Sequence, residues 1–596
     1  MPDLLSVRDL QVSFASPAGP IEAVRGVSFR VRPGGAVALV GESGSGKSVV
    51  SQAILGILPA PGQITGGQIL YRDPRCDGSS IDLAALDPAS RAFRALRGGA
   101  IALIFQEPMS ALSPLHRIGD QIGEVLRLHR GAGRAEARKL AAEAMRLAGF
   151  PAPEAALDAY PFELSGGLRQ RAMIAQALAG QPTLLIADEP TTALDVTIQA
   201  QILQLLRRLR AELGMALLLI THDLGVVANI ADEVVVMQRG RVLESGPAAA
   251  LFGTPRHPYL KALLDAVPRF ADRALPEPAA PAPVLLEAAG LVKSFAGRNA
   301  TGPVQRAVDT VDLTLRRGEC LGLVGESGSG KSTLARLLLR ALVPDAGTIC
   351  FDGQDLATLH GAALHRFRRR AQYVFQDPNG ALDPRMSAFD ILAEPLIIHR
   401  LGQAAERRER VEAIAELVGL DPHWLSRYPH SFSGGQRQRL GIARALVLEP
   451  ALVICDEPVS ALDVRVQAQI LDLLGELRAR LGLTYLFISH NLAVVAAVAD
   501  RIAVMCAGRI VELAPRQALF EHPVHPYTQA LLAAVPVPDL ACRLDFDRIC
   551  AGTPGDPAGW PPPFTRDGAH RPGPIDLGDG HVIEAAEGSS RAGTIY

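Results

Sequence analysis

One eight-residue string, GESGSGKS, occurs twice in this chain of 596 residues. Its copies cover residues 41–48 and 325–332, and each follows a short apolar run. The string fits the pattern G-x-x-x-x-G-K-[ST], in which backbone N–H groups and a helix N-terminus surround phosphate oxygens. Because one copy lies near the start of each half, the sequence predicts two phosphate-binding units joined end to end.

The same later motifs follow each copy of this phosphate-binding string, or P-loop, in the same order. A Ser-Gly-Gly, an Asp-Glu-Pro and a Thr-His or Ser-His recur at an offset of 268 positions, whereas the P-loops are 284 apart. The difference falls mostly in an extra loop of the first half around residues 72–80. Repeats of this length far exceed the ~20–50 residues of solenoid units. The pattern therefore predicts a duplicated domain.

Composition indicates where the two copies begin and end. Residues 266–283 are rich in Pro and Ala and lack apolar periodicity, which is typical of an extended spacer. We predict a first domain at residues 1–268, a linker at 269–284 and a second domain at 285–540. Residues 541–596 form a C-terminal extension, predicted to be a loosely ordered tail because Gly, Pro and polar residues dominate its later part.

Charge and hydropathy exclude several classes of protein. The chain has 60 basic and 62 acidic residues, and the basic ones are dispersed, so no nucleic-acid partner is indicated. No apolar run approaches the ~18 residues of a membrane span, and the N-terminus has no signal-peptide pattern. The 7 cysteines form no C-x-x-C pair, which favours a reduced protein. We expect a cytoplasmic protein that reaches membranes only through partners.

Short apolar runs without alternation precede the polar motifs in both halves. They cover residues 36–40, 184–187, 217–220, 321–324, 452–455 and 485–488. Such runs are typical of strands buried on both faces of a parallel sheet, with chemistry at their carboxyl ends. The predicted fold class is α/β, with two tandem P-loop NTPase domains that each have a mostly parallel core sheet.

The P-loops predict the contacts to the phosphates. The expected nucleotide-binding residues are Gly41, Ser43, Gly44, Gly46, Lys47 and Ser48 in the first half, and Gly325, Ser327, Gly328, Gly330, Lys331, Ser332 and Thr333 in the second. The lysines would contact the phosphates, and Ser48 and Ser332 would hold Mg²⁺.

An acidic pair ends one apolar run of each half, at Asp188-Glu189 and Asp456-Glu457. The Asp suits Mg²⁺ coordination and the adjacent Glu suits polarisation of the attacking water. Adjacent acidic residues more often form a solvated turn, but the buried strand before them argues against that interpretation.

A Ser-Gly-Gly sequence precedes a helical stretch in each half. Its members are Ser165, Gly166 and Gly167, and Ser433, Gly434 and Gly435. The bare N–H groups of such a helix start suit an anion. An ordinary helix cap is the alternative.

Taken in order, these motifs resemble an ABC transporter nucleotide-binding domain, and the resemblance covers nearly the whole chain to about residue 540. The series is P-loop, Phe-Gln, Ser-Gly-Gly, Asp-Glu-Pro, Ala-Leu-Asp and His. The resemblance implies an antiparallel β subdomain and a helical subdomain beside each core sheet. It also implies hydrolysis of ATP with Mg²⁺ as cofactor.

Further roles follow from this resemblance alone. Gln106 and Gln376 look like Q-loop residues that touch Mg²⁺ and the water, His222 and His490 like switch histidines, and Asp195 and Asp463 like D-loop residues; Phe14 and Phe295 lie where an aromatic ring stacks on adenine, with strand core as the alternative. Each Ser-Gly-Gly would bind the γ-phosphate held by the opposite half. The fused halves would thus form an intramolecular ATPase dimer.

Three features resemble the oligopeptide/dipeptide importer ATPases. They are the Q-loop extensions at 105–114 and 375–384, the His-Pro-Tyr sequences at 257–259 and 525–527, and Leu168. Leu168 follows the first Ser-Gly-Gly, the signature motif of the family, where most ABC proteins have Gln. The resemblance implies the two ATPase subunits of a peptide importer joined in one chain, at the cytoplasmic face of the bacterial inner membrane. Two integral-membrane permeases and a substrate-binding protein are the implied partners.

The chain departs from many of these relatives at its C-terminus. Many of these relatives end in a cysteine cluster after a Pro-rich segment, in some cases an iron-sulfur site. The comparable residues 559–564 of this chain are Pro-rich but contain no cysteine. Upstream, Cys542 and Cys550 number only two against the usual four thiolates of a cluster. We therefore expect no iron-sulfur cluster.

Other tandem ATPases remain as alternatives. Soluble ribosome-bound factors have a long charged linker and DNA-repair ATPases have paired-cysteine zinc modules, neither of which this sequence shows. Exporter ATPases commonly fuse to their membrane spans.

Both domains have a Glu after the Asp, so both sites are predicted to hydrolyse ATP. The choice of peptide is not encoded in an ATPase that never touches the substrate.

Overall fold

The structure, a computed structural model, describes residues 2–17, 19–76, 79–192, 194–267, 282–296, 305–460, 462–550, 555–566 and 572–586. Its contacts divide the chain into two units. Unit 1 comprises Met1–Leu194, Ile198–Val267 and Pro536–Arg548, and unit 2 comprises Asp195–Thr197, Pro268–Val535 and Ile549–Tyr596. Most of the predicted linker, residues 269–281, lies outside the described residues, as do Ala193 and Ala461 of the Ala-Leu-Asp motifs.

The strands of unit 1 are β1 (Leu5–Phe14), β2 (Ile21–Val31), β3 (Ala36–Val40), β4 (Gly62–Tyr71), β5 (Ile81–Asp82), β6 (Ile101–Ile104), β7 (Leu184–Asp188), β8 (Ala216–Thr221), β9 (Glu233–Gln238) and β10 (Arg241–Pro247). The core sheet has the order β10-β9-β3-β8-β7-β6 and is parallel except for β10. A separate antiparallel sheet has the order β2-β1-β4-β5. The predicted fold class is confirmed here.

The helices of this half are α1 (Lys47–Ile54), α2 (Arg91–Leu96), α3 (Pro108–Ala111), α4 (Ile118–Arg130), α5 (Arg134–Leu147), α6 (Pro153–Ala156), α7 (Gly166–Ala179), α8 (Val196–Leu213), α9 (Leu224–Ile230), α10 (Ala248–Gly253) and α11 (Pro258–Asp265). Helices α4, α5 and α7 pack together as the helical subdomain. Every residue of β3, β7 and β8 is buried. These strands carry the apolar runs whose lack of alternation predicts burial on both faces.

Unit 2 repeats this arrangement. Its strands are β11 (Val284–Phe295), β12 (Gln305–Arg316), β13 (Cys320–Val324), β14 (Ala346–Phe351), β15 (Gln354–Asp355), β16 (Ala371–Val374), β17 (Leu452–Asp456), β18 (Thr484–Ser489), β19 (Arg501–Cys506), β20 (Arg509–Pro515), β21 (Gly573–Gly578) and β22 (His581–Ala585). The core sheet has the order β16-β17-β18-β13-β19-β20-β22-β21, and an antiparallel sheet has the order β12-β11-β14-β15.

The helices of the second half are α12 (Lys331–Leu338), α13 (Gly361–Arg370), α14 (Pro378–Ala381), α15 (Ala388–Ile398), α16 (Ala404–Leu417), α17 (Gly434–Leu446), α18 (Val464–Leu481), α19 (Leu492–Ala496), α20 (Arg516–Glu521), α21 (Pro526–Ala533) and α22 (Phe546–Cys550). Short 3₁₀ turns cover Pro161–Glu163, Leu356–Thr358, Pro422–Trp424, Pro429–Ser431 and Pro557–Gly559. None of the described helices is long and apolar enough to cross a membrane.

The C-terminal extension differs from the loosely ordered tail that its composition predicts. Strands β21 and β22 form a hairpin, and β22 pairs antiparallel with β20 through residues 582 and 583. Trp560, Phe564, Ile583 and Ala585 are buried. A hairpin this short is marginal by itself, but it is stabilised here because it joins the edge of an existing sheet. Composition cannot reveal that edge.

A second C-terminal segment, Pro536–Arg548, belongs to unit 1 by its contacts, although the sequence places its first residues in the second domain. Within unit 1 the backbone N–H of Leu544 donates to the Asn229 side-chain oxygen at 2.7 Å. The Arg207 guanidinium lies 4.8 Å from the centre of the Phe546 ring. Both contacts involve residues far apart in sequence, which is why local composition does not indicate them.

Candidate nucleotide site of each unit

Each P-loop connects a buried strand to the first turn of a helix, β3 to α1 and β13 to α12. Its last glycine has a positive φ, 97° at Gly46 and 109° at Gly330. A Cβ there would lie 2.6 Å from the carbonyl oxygen of Ala23 or 2.1 Å from that of Ala307. Both the backbone conformation and the close approach of another strand therefore require glycine at this position.

The P-loop lysines are buried and lie inside their loops. Lys47 Nζ donates to the carbonyl oxygens of Gly41 at 2.7 Å and Glu42 at 2.8 Å. Lys331 Nζ makes the same two bonds at the same distances. Burial lowers the pKa of Lys331, and the negative charge of nearby carboxylates partly offsets this effect.

The other P-loop residues divide by exposure. Gly41 and Gly325 are buried at the strand ends, whereas Ser43, Gly44, Ser327 and Gly328 are exposed at the loop tips. Ser48, Ser332 and Thr333 are half-buried in the first turn of their helices. The backbone N–H groups of such a loop and the helix start together form the kind of cradle that holds phosphate.

The two glutamates after the Asp have an unusual backbone conformation. Their φ angles are 46° at Glu189 and 47° at Glu457, in the left-handed region that is unfavourable for a residue with a Cβ. Their N–H groups donate to the carbonyl oxygens of Ile220 at 2.8 Å and Ile488 at 2.9 Å. Strain held in place by a neighbouring strand is typical of functional positions.

In unit 1, Glu189 is the centre of a hydrogen-bonded group. Its carboxylate lies 3.2 Å from His222 Nδ1 and accepts bonds from the side chains of Gln106 and Thr192, both at 2.9 Å. Burial alone would raise its pKa, but the bond and charge of His222 hold the pKa of Glu189 below its usual value. The glutamate is therefore ionised and accepts from the His222 ring.

Unit 2 has the same group around Glu457. His490 Nδ1 lies 3.1 Å from one carboxylate oxygen, and Gln376 Nε2 donates to the other at 2.7 Å. The pKa of Glu457 is again lowered, because His490 and Lys331 outweigh the effect of burial. In both units the glutamine donates its amide nitrogen, which leaves its amide oxygen available to another ligand.

The aspartates that precede the glutamates differ in their partners. Ser48 Oγ donates to Asp188 at 3.1 Å, and burial raises the pKa of Asp188 to about 6. Asp456 instead accepts from the Tyr373 hydroxyl. Serine hydroxyl, carboxylate and amide oxygens are the ligands that Mg²⁺ prefers, so the residues present fit that ion.

Ser-Gly-Gly begins a helix in each unit, as predicted. Ser165 Oγ accepts from the N–H of Leu168 at 3.4 Å, and Ser433 Oγ accepts from Gln436 at 3.3 Å. Only in the second case does a side-chain oxygen, from Gln436, also accept from the serine N–H, at 2.8 Å, which completes a capping box. A Cβ on Gly435 would lie 2.4 Å from Val466, so this glycine allows close packing.

The remaining predicted residues lie at the ends of elements. Phe14 is half-buried at the end of β1, and Phe295 is 43 % exposed at the end of β11. Asp463 precedes α18. Asp195 is grouped by its contacts with unit 2, within which its carboxylate accepts from Ser327 N at 2.7 Å and Ser327 Oγ at 2.9 Å.

Sequence reasoning missed Tyr373 and Thr192, although both contact the acidic pair of their unit. A signal for Tyr373 was present, because the duplicated position in the first half is Leu103 and a hydroxyl is unexpected in an apolar strand. Of the two C-terminal cysteines, Cys542 is exposed and unpaired, and the side chain of Cys550 lies outside the described residues.

Family comparisons agree with this duplicated geometry. The profile described as "ABC transporter" matches residues 24–192 and 308–460. A second profile, described as "Oligopeptide/dipeptide transporter, C-terminal region", matches residues 243–298 and 511–556. Both halves therefore match both profiles.

Curated relatives match nearly the full length. The "Glutathione import ATP-binding protein GsiA" of Pectobacterium atrosepticum is 47 % identical over 568 residues, which is 91 % of this chain and 90 % of that protein. The protein of the same name from Salmonella typhimurium is 46 % identical and covers 90 % of each chain. The "Peptidoglycan transport ATP-binding protein YejF" of Agrobacterium fabrum is 49 % identical, covering 89 % of this chain and 96 % of its own.

Proposed function

The chain belongs to the ABC transporter family, and we propose that it is the ATP-hydrolysing subunit of a bacterial importer for peptides, with both ATPase domains in one polypeptide. The observation that carries the proposal is the recurrence, in each half, of the oligopeptide/dipeptide transporter C-terminal region after a complete ATPase motif series. The relatives named for glutathione import and peptidoglycan transport support a peptide-like substrate.

We assign the general base of each site to the glutamate after the strand. Glu189 and Glu457 are ionised, so each can accept the proton of an attacking water. His222 and His490 hold one carboxylate oxygen, and Gln106 and Gln376 hold the other. Fixing both oxygens orients the base before reaction, which is the main contribution a protein makes to phosphoryl transfer.

The phosphate-binding role is assigned to the P-loops. Lys47 and Lys331 bring a positive charge to loops whose tips present N–H groups, and this combination attracts phosphate oxygens. Ser48, Asp188 and Gln106, with Ser332, Asp456 and Gln376 in unit 2, would hold Mg²⁺. When bound, Mg²⁺ would neutralise charge on the phosphates. Phe14 and Phe295 would stack on adenine.

We further propose that each P-loop works with the Ser-Gly-Gly of the other half, with Asp195 and Asp463 as D-loops. Binding of two ATP molecules would favour a closed state and hydrolysis would release it, which is a ligand-driven two-state switch. Two membrane permeases would transmit this motion, a separate binding protein would deliver the peptide, and the chain would act at the cytoplasmic face of the inner membrane.

The catalytic part is tested with Glu189→Gln, Glu457→Gln and the double variant of the full chain. A positioned general base contributes about 10²–10⁴-fold to the rate. We therefore expect each single variant to lose at least half of the ATPase rate and the double variant to lose about 99 % of it. Phosphate release at saturating Mg·ATP is the measurement.

Matched controls are Glu212→Gln and Glu412→Gln, which remove exposed carboxylates that pair with arginines one helical turn away. These should retain the parental rate, since exposed pairs of this kind contribute little. If only one of the two active-site variants lowers the rate, the proposal of two competent sites is wrong.

The importer part is tested by reconstitution. The chain is coexpressed with two permeases and a binding protein of a peptide importer and placed in proteoliposomes. Labelled glutathione, a second tripeptide or a free amino acid is then supplied. ATP-dependent uptake of the peptides but not of the amino acid is expected. Copurification with ribosomes or DNA, and no uptake, would instead support the alternative class of soluble tandem ATPases.

A further inference from the structure

The His-Pro-Tyr sequence of each unit begins a helix with a fixed geometry. In α11 and in α21 the histidine Nδ1 accepts a hydrogen bond from the tyrosine N–H at 3.1 Å. The proline occupies the first helical position, where its fixed φ is favourable and no N–H is required. The direction of the following tyrosine side chain is therefore set by the helix start.

A carboxylate from the strand that pairs antiparallel with β9 or β19 holds this helix start in place. Glu244 of β10 accepts from the N–H groups of residues 256 and 257 at 3.2 and 2.9 Å. Glu512 of β20 accepts from those of residues 524 and 525 at 2.9 and 3.1 Å. Each helix start is thus tied to the core sheet.

The tyrosine then reaches the P-loop of its own unit. The Tyr259 hydroxyl accepts from the backbone N–H of Glu42 at 3.2 Å, and the Tyr527 hydroxyl accepts from that of Glu326 at 3.0 Å. Both tyrosines are buried, and burial raises the pKa of Tyr527 far above its usual value, so its hydroxyl stays protonated.

The P-loop residue that the tyrosine contacts is also held by the P-loop lysine. Lys47 Nζ binds the carbonyl oxygen of Glu42, and Lys331 Nζ binds that of Glu326, both at 2.8 Å. Both polar backbone groups of one P-loop residue are therefore hydrogen-bonded, the N–H to the tyrosine and the C=O to the lysine.

We propose that Tyr259 and Tyr527 are positioning residues for nucleotide binding, which hold the start of each P-loop in the conformation that presents its N–H groups to phosphate. The proposal rests on the proposed ATPase function. It assigns to the His-Pro-Tyr sequence a role in the ATP site of its own unit.

Unit 2 reinforces this linkage with the C-terminal hairpin. His581 of β22 lies 2.8 Å from the Glu512 carboxylate that holds the helix start. The rings of Trp560 and Phe564 pack edge-on against His525, with centroids 4.6 and 4.9 Å away. The hairpin therefore supports the start of α21 through Glu512, and the segment that contains Trp560 and Phe564 supports it through His525. Removal of the hairpin should affect the second ATP site alone.

The first experiment isolates one site in the full chain. Lys47→Ala with Glu457→Gln leaves a second site that binds Mg·ATP without hydrolysis, and Lys331→Ala with Glu189→Gln leaves the first. Into these parents we introduce Tyr527→Phe and Tyr259→Phe, which remove one hydroxyl and retain the ring. Loss of one hydrogen bond should weaken Mg·ATP binding about three- to tenfold.

The second measurement separates positioning from stability. In the otherwise native chain, each Tyr→Phe variant should raise KM for ATP and leave kcat within about twofold, because the glutamate group is intact. Tyr485→Phe and Tyr71→Phe are the controls. Tyr485 is buried with no hydrogen-bond partner for its hydroxyl in the described residues, and Tyr71 bonds only Thr183 among the hydrogen bonds described, so both should keep the parental affinity.

Each outcome decides the proposal. Unchanged affinity and KM in both Tyr→Phe variants, or a loss of kcat at unchanged KM, would overturn it. His581→Ala should weaken Mg·ATP binding at the second site by less than Tyr527→Phe and leave the first site unchanged; an equal effect at both sites would remove the role of the hairpin. If the two parent proteins bind no Mg·ATP at all, the ATPase function itself is wrong.

Discussion

The two units have identical P-loops and the same Gln–Glu–His group, yet the surroundings of these groups differ. Ser48 holds Asp188 in unit 1, whereas Tyr373 holds Asp456 in unit 2. The first core sheet ends at β10, and the second continues beyond β20 into a hairpin. The units are therefore matched in the atoms that would touch ATP and different in how those atoms are supported.

This difference teaches that the groups proposed to be catalytic and their supports are separable. A leucine at position 103 and a tyrosine at its duplicate 373 leave the neighbouring Asp-Glu pair in the same place on its strand. The supporting residues set the stability and rigidity of each site, so they are where the two units can be made to differ further or made alike.

The largest effect is expected from Tyr373→Phe. This change removes a half-buried hydrogen bond to a carboxylate, and bonds to charged groups contribute about 1.5–3 kcal/mol. The free energy of unfolding of unit 2 should fall by that amount. Urea unfolding followed by tryptophan fluorescence is the measurement, because both tryptophans, Trp424 and Trp560, belong to unit 2.

The matched control is Tyr485→Phe in β18, the strand that pairs with the one carrying Asp456. The Tyr485 hydroxyl has no hydrogen-bond partner in the described residues. This control should leave the urea concentration at the midpoint of unfolding unchanged. If Tyr373→Phe and the control change the free energy of unfolding equally, the hydrogen bond from Tyr373 to Asp456 does not stabilise unit 2. This difference between the units then disappears.

A smaller effect concerns pH. Burial, assisted by the charge of Arg566, lowers the pKa of His525 to about 3, so the folded unit keeps this ring neutral. Below about pH 6.5 His525 binds a proton in the unfolded chain but stays neutral in the folded unit. The free energy of unfolding of unit 2 therefore falls as the pH falls toward 3. At pH 5 unit 2 should have lost about 2 kcal/mol from this residue.

His525→Asn tests this prediction, because asparagine can still cap the helix and does not titrate. The loss of tryptophan-reported stability between pH 7 and pH 5 should be smaller in this variant by about 2 kcal/mol. An unchanged loss would show that other groups account for the acid sensitivity of unit 2.

The smallest effect concerns the two signature helices. Gln436→Leu should remove the capping box of α17, and Leu168→Gln should supply one to α7, each changing local stability by about 0.5–1 kcal/mol. Hydrogen exchange of the first-turn amides should quicken about two- to fivefold in α17 and slow comparably in α7. If neither helix responds, the difference between Leu168 and Gln436 lies outside the helix cap.

The sequence predicted those parts of the fold and site that are local or duplicated. The buried strands followed from apolar runs, and the role of the acidic pair followed from its place directly after a buried strand. Gln106 and His222 were assigned by the family resemblance, and both contact Glu189 in the structure. Identical strings in the two halves made a chance match improbable. The inferences about the strands and the acidic pair need only neighbours in sequence and one rule of sheet geometry.

The missed features depend on tertiary contacts. Tyr373 is an ordinary strand residue until Asp456 lies beside it, and a short hairpin such as β21–β22 is stable only against an existing sheet edge. The His-Pro-Tyr sequence was visible, but its link to Glu42 and Glu326 crosses more than 200 positions of the chain. No periodicity or composition reports such a contact.

The segment Pro536–Arg548, which belongs to unit 1, has a consequence for synthesis on the ribosome. Residue 267 emerges roughly 270 residues before this segment, which at about 5–20 residues per second is a delay of roughly 15–50 s. Throughout that time Asn229 and the surface beside it await a part of their own unit. The first ATPase domain therefore reaches its final form only after the second has been made, so a truncated nascent chain carries an unfinished first domain.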